Sequence, residues 1–233
     1  LVTFADDTGL LSRHIQLRSA VYNAQEATDI LSSWFRKWRL LLNPRKTEAK
    51  IFGLRRFSNN VTHQLKIDEL PVSWTPTDQG VRYLGVHFDT RLTCRFHVNT
   101  KLRQAHHRLT SLYPLINRNT ALRPSCVSLL YKSLILPILT YACPVWFGTS
   151  NTNIKRLQTF QSKVLRMAVN APWFVRNQQI QHELGFEPLS VHIEDLTQRH
   201  HLRLQLSAGA TAYNLGTSTR HRLKPRLYQD IIF

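Results

Sequence analysis

The feature that most constrains this chain is a run without acid. From Thr90 to His182 there is no aspartate or glutamate, and the same stretch holds thirteen lysines or arginines, from Arg91 to Arg176, and four of the eleven histidines. An ordinary soluble surface mixes both signs. A one-signed block of this size repels itself when compact and calls for a polyanionic partner. The whole chain leans the same way: 31 Lys+Arg against 14 Asp+Glu give +17 over 233 residues. Nucleic acid is the first candidate partner and an anionic membrane the second. A generally basic chain is the plainer alternative. Hydrophobic residues at 42% and charged residues at 19% argue for a folded chain of one large or two modest domains.

Several classes are disfavoured at once. Cys94, Cys126 and Cys143 are too few for a disulfide framework and sit at no zinc-ligand spacing, which points to a reducing intracellular compartment. The N-terminus lacks the basic region of a signal peptide and carries Asp6 and Asp7. The most apolar stretch, Val127 to Phe147, contains Lys132, Pro137 and Pro144, which a membrane-spanning helix disfavours. The chain starts at Leu1 and its only methionine is Met167, so it is expected to be a piece of something longer.

Periodicity predicts α+β architecture. Leu1 to Phe4 reads as a strand, Asp6-Asp7-Thr8-Gly9 as a turn, and Leu10-Leu11 as the returning strand. Leu17, Val21, Ala24, Thr28, Leu31, Phe35, Trp38 and Leu42 step by four and three, predicting a long helix that Asn43-Pro44 ends. Short strands are expected at Ala49–Leu54, Leu65–Ile67, Pro71–Trp74 and Val81–Phe88, with Asp68-Glu69 as a hairpin turn. From about residue 96 the period becomes helical, through Val98, Leu102, Ala105, Leu109 and Leu112. Further helices are expected from Pro124 to a stop or kink at Pro137, from Ile154 to Val169, up to Gly185, and from Ser190 to Ser207. Arg156, Thr159, Lys163 and Arg166 share one mostly basic helix face. Arg220 to Arg226 forms a basic tail.

The sharpest chemical signal is Phe4-Ala5-Asp6-Asp7 at the strand–turn–strand junction. Adjacent carboxylates at a strand end are costly unless cations neutralise them. Mg²⁺ takes few protein oxygens and completes its shell with water and phosphate, and phosphoryl-transfer sites pair two such ions. An Asp-rich surface turn explains the same four residues in isolation.

The wider sequence supplies context. Phe4-Ala5-Asp6-Asp7 resembles the catalytic [Tyr/Phe]-Ala-Asp-Asp box of reverse transcriptases. The residues C-terminal to it resemble the non-LTR (LINE-type) retrotransposon branch, most of all the jockey group. Trp38-Arg-Leu-Leu-Leu-Asn43-Pro-Arg-Lys46-Thr47 is similar to that family's "W…LN…KT" segment. Val81-Arg-Tyr83-Leu84-Gly85-Val86, with Asp89 and Leu92, is similar to its "YLGV..D..L" box. Tyr141-Ala-Cys-Pro-Val-Trp146 and Asn170-Ala-Pro-Trp173-Phe-Val-Arg176-Asn177 resemble its thumb and post-thumb boxes.

The resemblance implies a partial palm over 1–93, with catalytic hairpin, long helix and small antiparallel strands, then a basic helical thumb over 94–170 and a helical extension over 171–233. It implies that Asp6 and Asp7 bind Mg²⁺ in the intact parent and that Lys46 sits near the leaving pyrophosphate as a general acid. Tyr83-Leu84-Gly85 would be the primer grip, a β-hairpin that holds the primer 3′ end. Arg156, Lys163 and Arg166 would hold duplex phosphates. The implied partners are an RNA template, an RNA–DNA or DNA primer duplex and deoxynucleotides, with no membrane, and the implied compartment is the nucleus. The family's other metal-binding aspartate and its fingers lie upstream of such a segment, so the chain alone is expected to be inactive. A non-catalytic nucleic-acid-binding remnant of a decayed element is the alternative.

Other features carry less. His106-His107 and His200-His201 are read as solvated helix positions with no zinc site around them, and His182-Glu183 lacks a second histidine. Trp34, Trp38, Trp74, Trp146 and Trp173 are read as core anchors rather than stacking platforms.

Overall fold

The computed structural model describes residues 1–53, 64–116 and 122–206. The expected basic tail Arg220–Arg226, and the predicted element ends at Leu54 and Ser207, lie outside the described residues. The architecture is α+β, in two compact units, Leu1–His97 and Val98–Phe233.

The first unit opens with a tight hairpin. Strands β1 (Val2–Phe4) and β2 (Asp7–Gly9) pair antiparallel, Val2 opposite Gly9 and Phe4 opposite Asp7. The turn is therefore Ala5-Asp6, earlier than the Asp6–Gly9 turn predicted, and Leu10-Leu11 lies beyond the pairing. Ala5 takes φ of +50°, the left-handed value that a two-residue hairpin needs to match strand twist. Gly9 is not the turn residue; it closes the ladder.

Helix α1 (Leu17–Lys37) comes next. It ends earlier than the Asn43-Pro44 signal predicts. Arg39 adopts φ of +57°, and the amides of Trp38 and Leu40 both donate to the Phe35 carbonyl. A left-handed residue closing the last turn is a common helix stop. Trp38 and Leu42 thus leave the helical stripe, and Leu42 turns into a small core instead.

That core contains Ala49, Ile67 and Val72, with Leu42, Leu65 and Trp74 packed against it. Its frame is four two-residue strands: β3 (Glu48–Ala49), β4 (Lys66–Ile67), β5 (Leu70–Pro71) and β6 (Ser73–Trp74). β4 and β5 form an antiparallel hairpin about Asp68-Glu69, at φ of +50° and +65°. β3 and β6 pair parallel, contrary to the all-antiparallel expectation. The long connection between them lets β6 return in the direction of β3. The Gln25 side chain ties α1 to β4: its Oε1 accepts from the Lys66 amide at 2.8 Å and its Nε2 donates to the Lys66 carbonyl at 3.0 Å. Arg36 and Asp68 add an ion pair.

The segment that periodicity reads as one strand, 81–88, is a hairpin of β7 (Val81–Tyr83) and β8 (Val86–Phe88), the shape that the family resemblance implies there. Leu84 and Gly85 turn the chain with φ of +46° and +75°. Asp89 then prepares α2 (Arg95–Ile116), its carboxylate accepting from the amide and hydroxyl of Thr93, both at 2.8 Å.

The second unit is helical. The predicted apolar face of α2, Val98, Leu102, Ala105, Leu109 and Leu112, is buried throughout, and Ile116 extends it. α3 (Pro124–Leu130) runs through one π-helical turn, Tyr131–Ile135, into α4 (Leu136–Thr140). The Leu136 amide reaches back to the Tyr131 carbonyl. Pro137 has no N–H to continue the ordinary ladder, and the wider turn is where the kink is absorbed. α5 (Cys143–Trp146) is entered through Ala142 at φ of +51°. α6 (Asn151–Ala168) is capped by Ser150, whose hydroxyl accepts from the Asn153 amide. α7 (Asn177–Glu183) ends before Gly185, at φ of +64°, and α8 (Leu189–Leu206) closes the described chain. α6 packs against α3, α7 and α8, and α5 against α8. Among the described residues no helix is long and apolar enough to cross a membrane.

Candidate catalytic hairpin and nucleic-acid interface

Two motifs far apart in sequence meet in the first unit. Gly9, at the end of the Asp6-Asp7 hairpin, lies under the ring of Tyr83: a Cβ built on Gly9 would stand 3.6 Å from Tyr83 Cε2 and 3.7 Å from Cζ. Those separations are ordinary van der Waals contact, so the ring and this end of the hairpin are neighbours with room for a methyl group between them. The Tyr83 hydroxyl is buried and has no hydrogen-bond partner among the described residues. The carboxylate hairpin and the Tyr83-Leu84-Gly85 hairpin are therefore neighbours, each turned by a left-handed residue.

Asp6 and Asp7 are both exposed at the hairpin tip, and among the described residues their carboxylates make no hydrogen bond or ion pair. Two adjacent, uncommitted carboxylates suit a hard divalent cation that completes its shell with water and phosphate. No cluster of three or more His, Cys, Asp or Glu donors stands among the described residues.

Lys46 is exposed on the turn after α1. Asn43 braces that turn: its Oδ1 accepts from the Arg45 amide, and its carbonyl accepts from the amides of Lys46 and Thr47. Among the described residues the Lys46 ammonium has no hydrogen bond or ion pair, so it projects unspent.

The predicted basic face of α6 divides in two. Arg156 donates to Asn99 Oδ1 on α2. Lys163 is exposed near His106, whose imidazole is pushed below its ordinary value by burial and, secondarily, by that ammonium. Arg166 is engaged differently. Its guanidinium donates to the Pro172 carbonyl at 2.7 Å, the Val175 carbonyl at 2.6 Å and Asn177 Oδ1 at 2.8 Å. It clamps the loop between α6 and α7 and is half-buried there. Of the three, Arg156 and Arg166 already hold polar partners within the fold, and Arg166 commits both of its terminal nitrogens to the loop.

Lys50 does similar work in the first unit and carries no motif that would single it out. Its ammonium donates to the carbonyls of Thr75, Pro76 and Gln79. Burial lowers its pKa, against the opposing pull of Asp78 and Asp89.

The aromatics divide between core and surface. Trp146 is a core anchor, 1% exposed, with its indole N–H donating to the Tyr141 carbonyl at 2.7 Å. Trp74 packs on the small core. Trp34, Trp38 and Trp173 are surface residues, contrary to expectation, and Trp173 is 90% exposed. His201 is buried, not solvated, and burial lowers its pKa, with His200 adding to the effect. The three cysteines are free, with Cys94 and Cys143 buried and Cys126 exposed.

No protein-family model and no solved structure matches the chain. Curated Drosophila melanogaster proteins do. The chain is 30% identical over 233 residues to the probable RNA-directed DNA polymerase from transposon X-element, a match covering 100% of this chain and 25% of that protein. It is 28% identical over 205 residues to the probable RNA-directed DNA polymerase from transposon BS, covering 88% of this chain and 22% of the relative. It is 26% identical over 227 residues to the RNA-directed DNA polymerase from mobile element jockey, covering 97% and 24%. The chain is a homologue of the RNA-directed DNA polymerases of Drosophila non-LTR transposons, and it spans about a quarter of their length.

Proposed function

We propose that this chain is the C-terminal part of a jockey-type reverse transcriptase: the end of the palm, with the Asp6-Asp7 hairpin and primer grip, then a basic helical thumb and a helical extension. The observation that carries the reading is the Tyr83 ring seated on Gly9. It joins the carboxylate pair and the Tyr83-Leu84-Gly85 turn in one unit, as nucleotidyl transfer onto a primer end requires. A nuclear location goes with that reading.

Asp6 and Asp7 would hold Mg²⁺, which supplies charge neutralisation at the attacking and leaving oxygens. The Ala5-Asp6 turn fixes the two carboxylates on a short, hydrogen-bonded hairpin, so they need little reorganisation to bind. Lys46 presents an uncommitted ammonium suited to the developing charge of pyrophosphate, and it can donate a proton there. The tight turn at Leu84-Gly85 would bring backbone toward a primer sugar–phosphate at Gly85, which has no side chain. Arg156 and Lys163 supply phosphate contacts that give affinity without sequence preference and weaken as salt rises. The substrates of the parent enzyme would be deoxynucleotides and an RNA template paired with a primer.

The carboxylate pair lacks a third donor among the described residues. The isolated chain is accordingly expected to bind an RNA–DNA duplex in a salt-sensitive way yet give no primer extension with Mg²⁺. That observation also favours the second reading, a non-catalytic nucleic-acid-binding remnant. Extension by the isolated chain overturns the claim that the site is incomplete. Absence of salt-sensitive duplex binding overturns the thumb assignment. In an intact parent enzyme, Lys46→Ala should slow incorporation at unchanged template affinity, and an unchanged rate removes the general-acid role.

A further inference from the structure

The loop between α6 and α7 carries two large aromatics where a surface loop has no packing use for them. The Val175 amide donates to the Pro172 carbonyl at 3.2 Å, closing a β-turn with Trp173 and Phe174 at its two central positions. Small polar residues and glycine dominate such turns because each serves the backbone. Here the indole is 90% exposed and the phenyl ring 68% exposed, and they meet edge to face at 6.0 Å. Most of both side chains lies in solvent rather than in the core.

The turn beneath them is held firmly. Arg166 grips the carbonyls at both its ends, Pro172 and Val175, and also Asn177 Oδ1. The Ala171 amide donates to the Arg166 carbonyl at 3.0 Å, fastening the loop to the end of α6. Arg176, exposed, adjoins the tip, and exposed Lys163 lies one helical turn before Arg166. The whole segment falls in the stretch without acid.

We propose that Trp173 and Phe174 form a stacking platform for unpaired bases, so that this loop binds single-stranded nucleic acid. A rigid aromatic tip bordered by cations matches that ligand in both its parts. The rings take base faces of any sequence, and the cations take the adjoining phosphates. The charge pattern selects nucleic acid over an apolar protein groove, since a protein partner has no need of a one-signed surround. This rests on the nucleic-acid reading above and adds to it a base-contacting site distinct from the phosphate-contacting face of α6.

The test uses the full 233-residue chain and two fluorescently labelled oligomers of equal length and charge, oligouridylate and an abasic strand. The wild-type chain should prefer oligouridylate, and Trp173→Ala with Phe174→Ala should erase the preference, a loss of roughly five- to a hundredfold from the usual stacking energy. Its salt dependence should stay as in wild type. Arg176→Gln should keep the preference and reduce the salt slope by about 0.7. Both aromatics are exposed, so the variants should retain the wild-type circular dichroism. An unchanged preference in the double variant overturns the platform. A wild-type chain that binds both strands with salt sensitivity but does not discriminate them overturns the platform alone, leaving the tip to another class of partner. Failure to bind any nucleic acid overturns both readings.

Discussion

Arg166 offers the most direct test of how the second unit holds its surface loop. Replacing it with methionine keeps the aliphatic stem and removes three hydrogen bonds, at 2.7, 2.6 and 2.8 Å. A hydrogen bond to a charged group contributes about 1.5–3 kcal/mol when buried. This guanidinium is only half-buried, so each bond belongs at or below the lower end. The three also share one side chain's ordering cost and are not additive. A total of about 2–3 kcal/mol for closing the loop is reasonable on that basis. That corresponds to an opening equilibrium shifted about thirty- to a hundred-and-fiftyfold. Amide exchange reads it directly. The Val175 amide, bonded to Pro172 across the turn, should lose protection by that factor in Arg166→Met, while Val164 in the middle of α6 should hold its rate. Arg166→Lys should fall between, since an ammonium is a point donor and cannot reach all three acceptors in the planar geometry. Unchanged exchange at Val175 would refute the clamp. Equal acceleration at Val175 and Val164 would show helix melting instead.

Other perturbations have equally definite outcomes. Trp146→Ala should destabilise the second unit by about 3–5 kcal/mol, through the cavity and the lost bond to the Tyr141 carbonyl, and urea unfolding would measure it. Gly85→Ala should cost about 1–2 kcal/mol, because φ at Gly85 is +75° and a Cβ is disfavoured there; equal stability would contradict the turn geometry. The exposed Cys126 should react first with iodoacetamide at mildly alkaline pH, whereas Cys94, its thiol pushed up to about 11 by burial and by Asp89, should stay protected until unfolding. Folding should weaken as pH falls through the ordinary histidine value of 6.5, because the unfolded state takes up a proton there that buried His201 resists; thermal melts of His201→Gln should flatten that dependence.

Much of the fold is legible in the sequence because it depends on local periodicity. The 3.6-residue spacing of Val98 through Leu112 yields the buried face of α2 directly, since a helix has no other way to gather those side chains. The Asp68-Glu69 turn and the start of α3 at Pro124 come from local backbone preferences. Periodicity fails where one left-handed residue decides the path. Arg39 ends α1 ahead of Asn43-Pro44, and Leu84 with Gly85 splits one expected strand into a hairpin. Nothing in the side chains of Arg39 or Leu84 advertises positive φ, so surrounding contacts must impose it.

The candidate site divides along the same line. Residue order alone put adjacent carboxylates at a strand end, a lysine after a long helix and a one-signed basic stretch, because charge and motif spacing are properties of sequence. Tertiary structure decided which of those groups meet and which are already engaged. It seated Tyr83 on Gly9, joining two hairpins more than seventy residues apart. It committed Arg166 to a loop and left Lys46 unengaged among the described residues. It drew Trp146 into the core and set Trp173 outside. An aromatic or a cation acquires its role from the neighbours that occupy or ignore its bonding capacity, and those neighbours are chosen only when the chain packs.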